Sequence, residues 1–211
     1  NRAGGTADRP GAPQHLGSKM PPRIYTRTGD QGETGLFHGP RVGKDMPRIE
    51  VIGVLDELNA ILGMARARLL PDDIDAIVER AQNELFVLGA EVSTPDPTQL
   101  GMQRLERRHV EAIEADIDRF SEGLPPLTNF VLPGGTPQAA DLHLARAVCR
   151  RAERRLVTLL REVPEEVSLI LLAYLNRLAD LLFVLARAAN SALNYPDVPW
   201  RMPSSSESDD A

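Results

Sequence analysis

Aliphatic residues return at intervals of three and four along most of the chain, the spacing that lines one face of a helix. Ile52, Leu55, Leu58, Leu62 and Ala65 do so within 47–70, and Ile74, Ile77, Val78, Ala81, Leu85 and Leu88 within 72–92. The two stretches predict an antiparallel helical pair, the second capped by Asp72. A shorter, highly charged helix is expected over 105–120. The next, over 136–161, opens on Thr136-Pro137, a hydroxyl cap followed by proline at the first helical position. Its buried stripe is Leu142, Ala145, Cys149, Ala152, Leu156 and Leu159. The last helix is expected over 164–194, with Glu165 and Glu166 placed to complement the positive end of its dipole. Strand character is confined to 23–27 and 129–132. This pattern predicts an all-α fold, a five-helix bundle in a single domain over 23–194. A disordered N-terminal arm (1–22) and a flexible C-terminal tail (195–211) should flank it, with Trp200 anchoring the start of the tail.

Composition narrows the classes. A chain of 211 residues that is 42% hydrophobic buries one sizeable core, and with aromatics at 4% that core must be aliphatic. A net charge of −6 argues against a surface that coats nucleic acid, so any anion site must be local. Cys149 is the only cysteine, which rules out an internal disulfide and a cysteine-rich zinc site and fits a reducing, cytoplasmic setting. The apolar runs 169–173 and 181–186 read as too short to span a bilayer, so no membrane partner is expected.

Candidate chemistry lies in two segments. Thr26-Arg27-Thr28-Gly29-Asp30-Gln31-Gly32-Glu33-Thr34-Gly35 carries glycine at every third position, interleaved with threonines. Glycines let backbone N–H groups converge on an anion, threonine hydroxyls add donors, and Arg27 adds charge. Lys44 is a further phosphate contact on a flexible stem. The loop is not a Walker A motif and lacks EF-hand spacing. Such runs also serve merely as turns, and the loop by itself does not choose between the two.

The second segment is the run from Arg146 to Arg155. Arg146, Arg150, Glu153 and Arg154 share one face beside the buried stripe, leaving it strongly positive. Arginine forks suit phosphate, at about 1.5–3 kcal/mol for each charge-assisted bond. The alternative is an exposed Arg–Glu lattice worth at most about 1 kcal/mol per pair. Asp56, within Asp56-Glu57-Leu58-Asn59, is a candidate partner for a buried arginine, with Arg146 the choice. Asn176 and Asp180 border the apolar face of the last helix, where an amide needs a partner.

Together these segments resemble the ATP:cob(I)alamin adenosyltransferases of the PduO type. The matching residues are Tyr25 to Leu36, Asp56-Glu57-Leu58-Asn59, Phe130-Val131-Leu132-Pro133-Gly134-Gly135, Arg146 to Arg155, and Tyr174-Leu175-Asn176-Arg177-Leu178-Ala179-Asp180. The resemblance implies a homotrimer with active sites between subunits, transfer of the 5′-deoxyadenosyl group of ATP to the cobalt of cob(I)alamin, release of triphosphate, and a need for Mg²⁺. Cobalt(I) is then the nucleophile, so no nucleophilic side chain is required, and no protein metal ligands are assigned. By motif, Thr26, Arg27, Thr28, Gly29, Asp30, Gly32, Thr34, Gly35 and Lys44 should surround the triphosphate. Arg150, Arg151, Glu153, Arg154 and Asn176 complete the ATP site. Phe130 should sit beside the corrin, keeping cobalt without its lower axial ligand, and Asp56 should pair with Arg146. The product would pass to an adenosylcobalamin-dependent enzyme.

Two other classes are open to test. Glu106-x-x-His109 is one half of a carboxylate-bridged di-iron motif, but such sites need two copies and the chain has one. An ATP-sensing module without chemistry would use the same phosphate ligands.

Overall fold

The computed structural model describes residues 24–37, 39–94 and 101–201. The arm expected over 1–22 and the tail from 202 onward lie outside the described residues. Five helices carry the fold: α1 (Pro47–Ala67), α2 (Asp72–Val92), α3 (Arg107–Glu122), α4 (Pro137–Glu162) and α5 (Leu169–Ala192). They pack in the lateral order α2, α1, α4, α5, α3, with α2 also reaching α5. The all-α expectation holds.

The core is aliphatic, as the scarcity of rings demands. Leu58, Leu62, Leu88, Leu142, Leu156, Leu175, Leu178 and Leu185 are fully enclosed. Tyr174, the largest buried side chain, donates its hydroxyl to Glu84 at 2.7 Å, tying α5 to α2. Burial, reinforced by the Glu84 carboxylate, pushes the Tyr174 phenol up, so it stays protonated. Cys149 lies against the Leu175 carbonyl, and burial raises its thiol too, which makes it a packing residue and no nucleophile.

Several local expectations need correction. Asp72 begins α2 but does not cap it; Pro71 holds that position, with no side-chain cap bond. The last helix starts five residues later than its acidic run implied. Residues 164–166 form a turn, Ser168 caps α5 through Ile170 N, and Glu166 instead binds the buried Arg48 at 2.5 Å. Residues 24–27 form no strand. The observed strands are a short antiparallel hairpin in which β1 (Glu33–Gly35), the end of the glycine–threonine loop, pairs with β2 (Arg41–Gly43). Although its apolar runs are interrupted, α5 as a whole is long and apolar enough to cross a membrane, with a mean hydropathy of 1.9 over its most apolar window. Its contacts with α2, α3 and α4 make it a core helix of the bundle.

Two loops are built with care. Thr136 caps α4 as predicted, its hydroxyl accepting from Ala139 N at 3.2 Å. Just ahead of it Gly135 takes φ +107, and a β-carbon there would collide with the Asn190 amide. That amide accepts from Thr136 N at 2.9 Å and donates to Gly134 O at 3.1 Å, fixing the turn to α5. The segment after α5 was expected to be a solvated tail. Through residue 201 it folds back as a strap instead: Val131 bridges Pro199, Leu132 N donates to Val198 O at 2.8 Å, and Trp200 N donates to Phe130 O at 2.7 Å. Strand character near 129–132 and anchoring by Trp200 are thus two sides of one pairing.

Candidate functional site

Two basic side chains, Arg41 and Lys44, cross-link the glycine–threonine loop. Arg41 donates to the carbonyls of Thr28 at 2.6 Å and Glu33 at 3.2 Å, and Lys44 Nζ donates to Gly29 O at 2.9 Å. These cross-links curl the segment around its own backbone, while the Thr26 and Thr28 hydroxyls meet at 2.8 Å. Left-handed geometry falls on Gly32 (φ 84) and, against expectation, on Arg27 (φ 62), whose guanidinium lies 5.4 Å from the Tyr25 ring. A non-glycine residue in that region stores strain of about 1–3 kcal/mol, a cost that needs a use. At Gly29 the reason for glycine is closeness: a β-carbon would come within 3.1 Å of Lys44 Nζ. Asp30, Thr34 and Gly35 lie on the same turn and hairpin, and the loop stands largely in solvent. β1 and β2 touch each other and no helix.

The arginines of α4 divide between two faces. Arg151 binds Glu57, and Arg155 binds Glu50 at 3.1 Å, both on α1. Arg146 and Arg150 turn the other way, toward α5, where with Ala179, Asp180 and Phe183 they line a cleft of about 210 Å³. Arg154 lies one turn on, donating to the Arg150 carbonyl at 2.9 Å. Glu153 accepts from Asn176 at 2.9 Å, so the amide bordering α5 has a partner on α4. Most arginines of the described bundle pair with carboxylates. Arg27, Arg146, Arg150 and Arg154 do not among the described residues, nor do Arg161 and Arg201. Arg146 Nε is also buried without a hydrogen-bond partner.

The Asp56–Arg146 pair does not form within the chain. Asp56 is exposed on α1 beside an apolar cleft of about 280 Å³ lined by Ile52, Gly53, Leu85 and Phe86, away from the face that carries Arg146. α4 meets α1 of the same chain through the Arg151 and Arg155 side instead. Phe130 is 82% exposed, its ring 6.4 Å from Trp200 in an edge-on contact. Glu106 and His109 are used up as the capping box of α3, with Glu106 N donating to His109 Nδ1 at 2.9 Å, which leaves no half-site for iron. No group of three potential metal-ligating side chains occurs among the described residues.

Residues 24–189 match the family described as cobalamin adenosyltransferase. The chain belongs to this family. A corrinoid adenosyltransferase of Mycobacterium tuberculosis is 45% identical over 183 residues, covering 85% of this chain and 93% of the relative. The corrinoid adenosyltransferase PduO of Salmonella typhimurium is 44% identical over 176 residues, covering 83% of this chain and 52% of the relative. Among solved structures, a variant PduO-type ATP:corrinoid adenosyltransferase from Lactobacillus reuteri, complexed with cobalamin and ATP, superposes with a TM-score of 0.79 at 34% identity. It covers 85% of this chain and 97% of that one.

Within this cobalamin adenosyltransferase fold, the β1–β2 hairpin and the α4 cleft, where sequence placed two halves of an ATP site, make no contact in one chain. The hairpin of β1 and β2 contacts no helix of its own chain, and the cleft at Arg146 and Arg150 is smaller than the roughly 300–1,000 Å³ of a usual ligand pocket. The strap is the part that sequence reasoning undervalued. Its signal was Trp200, the only tryptophan, in a stretch otherwise taken for tail.

Proposed function

We propose that the protein transfers the 5′-deoxyadenosyl group of ATP to the cobalt of cob(I)alamin, releasing triphosphate. One observation carries this reading: among the described residues Arg146, Arg150 and Arg154 stand on one face of α4 without carboxylate partners, in an acidic chain whose other described arginines are mostly paired. Unpaired guanidiniums held side by side repel each other, and a polyanion relieves that repulsion.

The reaction asks little covalent chemistry of the chain. The cobalt(I) electron pair forms the Co–C5′ bond as the C5′–O bond breaks, and the electrons leave on the triphosphate. What the protein supplies is placement and charge. Thr26, Thr28, Gly29, Gly32, Thr34 and Gly35 offer backbone and hydroxyl donors to the phosphates, with Arg27 and Lys44 as charges. Arg150 and Arg154 hold the leaving group, ordered by the Glu153–Asn176 bond, and Arg151 backs them from the α1 side. Stabilising charge that develops in the transition state is commonly the largest catalytic term, and loss of one donor costs about 10²- to 10³-fold. Mg²⁺ would ride on the phosphate oxygens, partly neutralising them, since it keeps several waters and needs only one or two carboxylates. Asp30, exposed on the phosphate loop, fits that role.

The separation of the halves supports a shared site, in which the loop of one subunit meets α4 of the next in a homotrimer. There the exposed Asp56 of one copy would pair with the orphaned Arg146 of its neighbour. Breaking such a pair would cost about 3–5 kcal/mol. Phe130 faces the corrin and excludes a lower ligand from cobalt, with the product passing to an adenosylcobalamin-dependent enzyme in the cytoplasm. The test is incubation with ATP, Mg²⁺ and chemically reduced cobalamin, reading the visible spectrum for the alkylcobalamin and assaying triphosphate. Tight ATP binding with an unchanged spectrum would make the protein an ATP-sensing module instead.

A further inference from the structure

One buried guanidinium outside the arginine run holds together everything that converges on Phe130. Arg187, on α5, is 7% exposed. Its Nε donates to Asp197 of the strap at 2.6 Å, and its Nη2 donates to the Pro125 carbonyl, at the start of the loop that leads to Phe130, at 2.7 Å. The strap and the loop then meet at the Trp200–Phe130 backbone bond and ring contact. Arg187 also lines three clefts at once. One of about 440 Å³ lies toward Ser191 and Tyr195, one of about 310 Å³ toward Thr128 and Val131, and the third is the cleft at Arg146 and Arg150.

Stability alone is a poor reason for this arrangement. A buried ion pair seldom outperforms apolar packing of the same volume, because desolvation offsets most of the attraction. This one is moreover incomplete: among the described residues Asp197 Oδ1 has no hydrogen-bond partner, nor has either ring nitrogen of the buried His143, whose electrostatic neighbours are Arg146 and Asp197. A buried pair with spare acceptors fixes geometry more than it adds stability. The strap needs such fixing. Among the described residues its backbone pairing to the loop is a single bridge made by two hydrogen bonds.

We propose that Arg187 is a positioning residue for the corrinoid: by binding Asp197 and Pro125 together, it sets the strap against the loop and so orients Trp200 and Phe130 as one aromatic wall. The inference rests on the reading of Phe130 as the residue beside the corrin. Arg187 reaches neither substrate in this role; it acts through the two rings.

Trp200 is the chain's only tryptophan, so its fluorescence reports the strap without background. Arg187→Met should shift Trp200 emission to the red and raise its quenching by acrylamide. It should raise KM for cobalamin at least tenfold while KM for ATP stays within twofold. Arg187→Lys keeps the charge but loses the fork, and should recover part of both signals. Asp197→Asn, which is isosteric and leaves the Pro125 bond intact, gives the same split in milder form should Arg187→Met not fold. Unchanged Trp200 emission and quenching in both Arg187→Met and Asp197→Asn would overturn the proposal. So would an equal rise in KM for both substrates with loss of thermal stability, which marks a merely structural role. A parent protein that makes no adenosylcobalamin overturns the functional reading and the corrinoid role with it, whatever Trp200 does.

Discussion

Replacing Gly135 by alanine should be among the most damaging single-methyl changes available in this fold. At φ +107 the glycine occupies backbone space that L-residues rarely adopt, and alanine there carries strain of about 1–3 kcal/mol. The new methyl would also occupy the site of the Asn190 side-chain amide, which cannot stay where it is. Asn190 is 2% exposed and its amide makes two bonds to this turn, to Thr136 N and Gly134 O. Each lost bond costs about 0.5–1.5 kcal/mol net. The sum, about 2–6 kcal/mol, is a large part of the roughly 5–15 kcal/mol that holds a domain together.

Urea denaturation followed by circular dichroism measures this directly. Asn190→Ala alone should cost about 1–3 kcal/mol, since it removes the two bonds and leaves the backbone unstrained. The double variant should then be less damaged than the sum of the singles, because both single changes forfeit the same bonds. A Gly135→Ala protein within about 1 kcal/mol of the parent, or strict additivity in the double variant, would refute the claim that the Pro133-Gly134-Gly135 turn is pinned by Asn190.

Other outcomes follow from the site. Arg150→Ala should lower kcat/KM for ATP by about 10²- to 10³-fold with a smaller effect on cobalamin binding, and unchanged kinetic constants would remove Arg150 from the phosphate site. Phe130→Ala should impair use of cob(II)alamin under mild reduction while leaving ATP affinity intact; because the ring is mostly exposed, stability should change by less than about 0.5 kcal/mol. His143 is held below its usual pKa, chiefly by burial and secondarily by Arg146, with Asp197 opposing. The unfolded chain therefore takes a proton there that the folded chain refuses, and stability should fall as pH drops below about 6.5, the ordinary histidine value. His143→Leu should flatten that part of the stability–pH curve, as measured by urea titrations at several pH values.

What could be read in the sequence tracks the physics that decides each feature. Helices α2 and α4 were legible almost to the residue and α1 to within three at its end, because a buried stripe repeats along each and Thr136-Pro137 announces the start of α4. The start of α5 was not, since Pro164, Glu165 and Glu166 form as good a first helical turn on paper as the turn they make. Nothing local says that Glu166 is claimed by Arg48, a residue on α1. The strap was missed for the same reason. Val198, Pro199 and Trp200 carry no periodic signal, and their order depends on Val131 and Arg187, each held by another part of the fold.

The arginines of α4 mark the sharper limit. Composition alone showed a positive run and could not say which members were spoken for. Register could have sorted them, since Arg151 and Arg155 lie four apart, as do Arg146, Arg150 and Arg154, on a different line of the same helix. Only packing tells which line meets the glutamates of α1, Glu50 and Glu57, and which meets the cleft beside α5. Within a single copy the pairing of Asp56 with Arg146 fails at that point, because the α1 carboxylates that meet α4 there, Glu57 and Glu50, belong to Arg151 and Arg155. The failure is informative in itself: an arginine with no carboxylate partner among the described residues, and an aspartate left in solvent on the same chain, fit the bond between neighbouring copies proposed above. Sedimentation of the parent and of Asp56→Asn therefore bears on the site as much as on assembly. If the pair spans the seam, the variant should lose both oligomer stability and ATP use, whereas loss of neither would confine Asp56 to the surface of a single subunit.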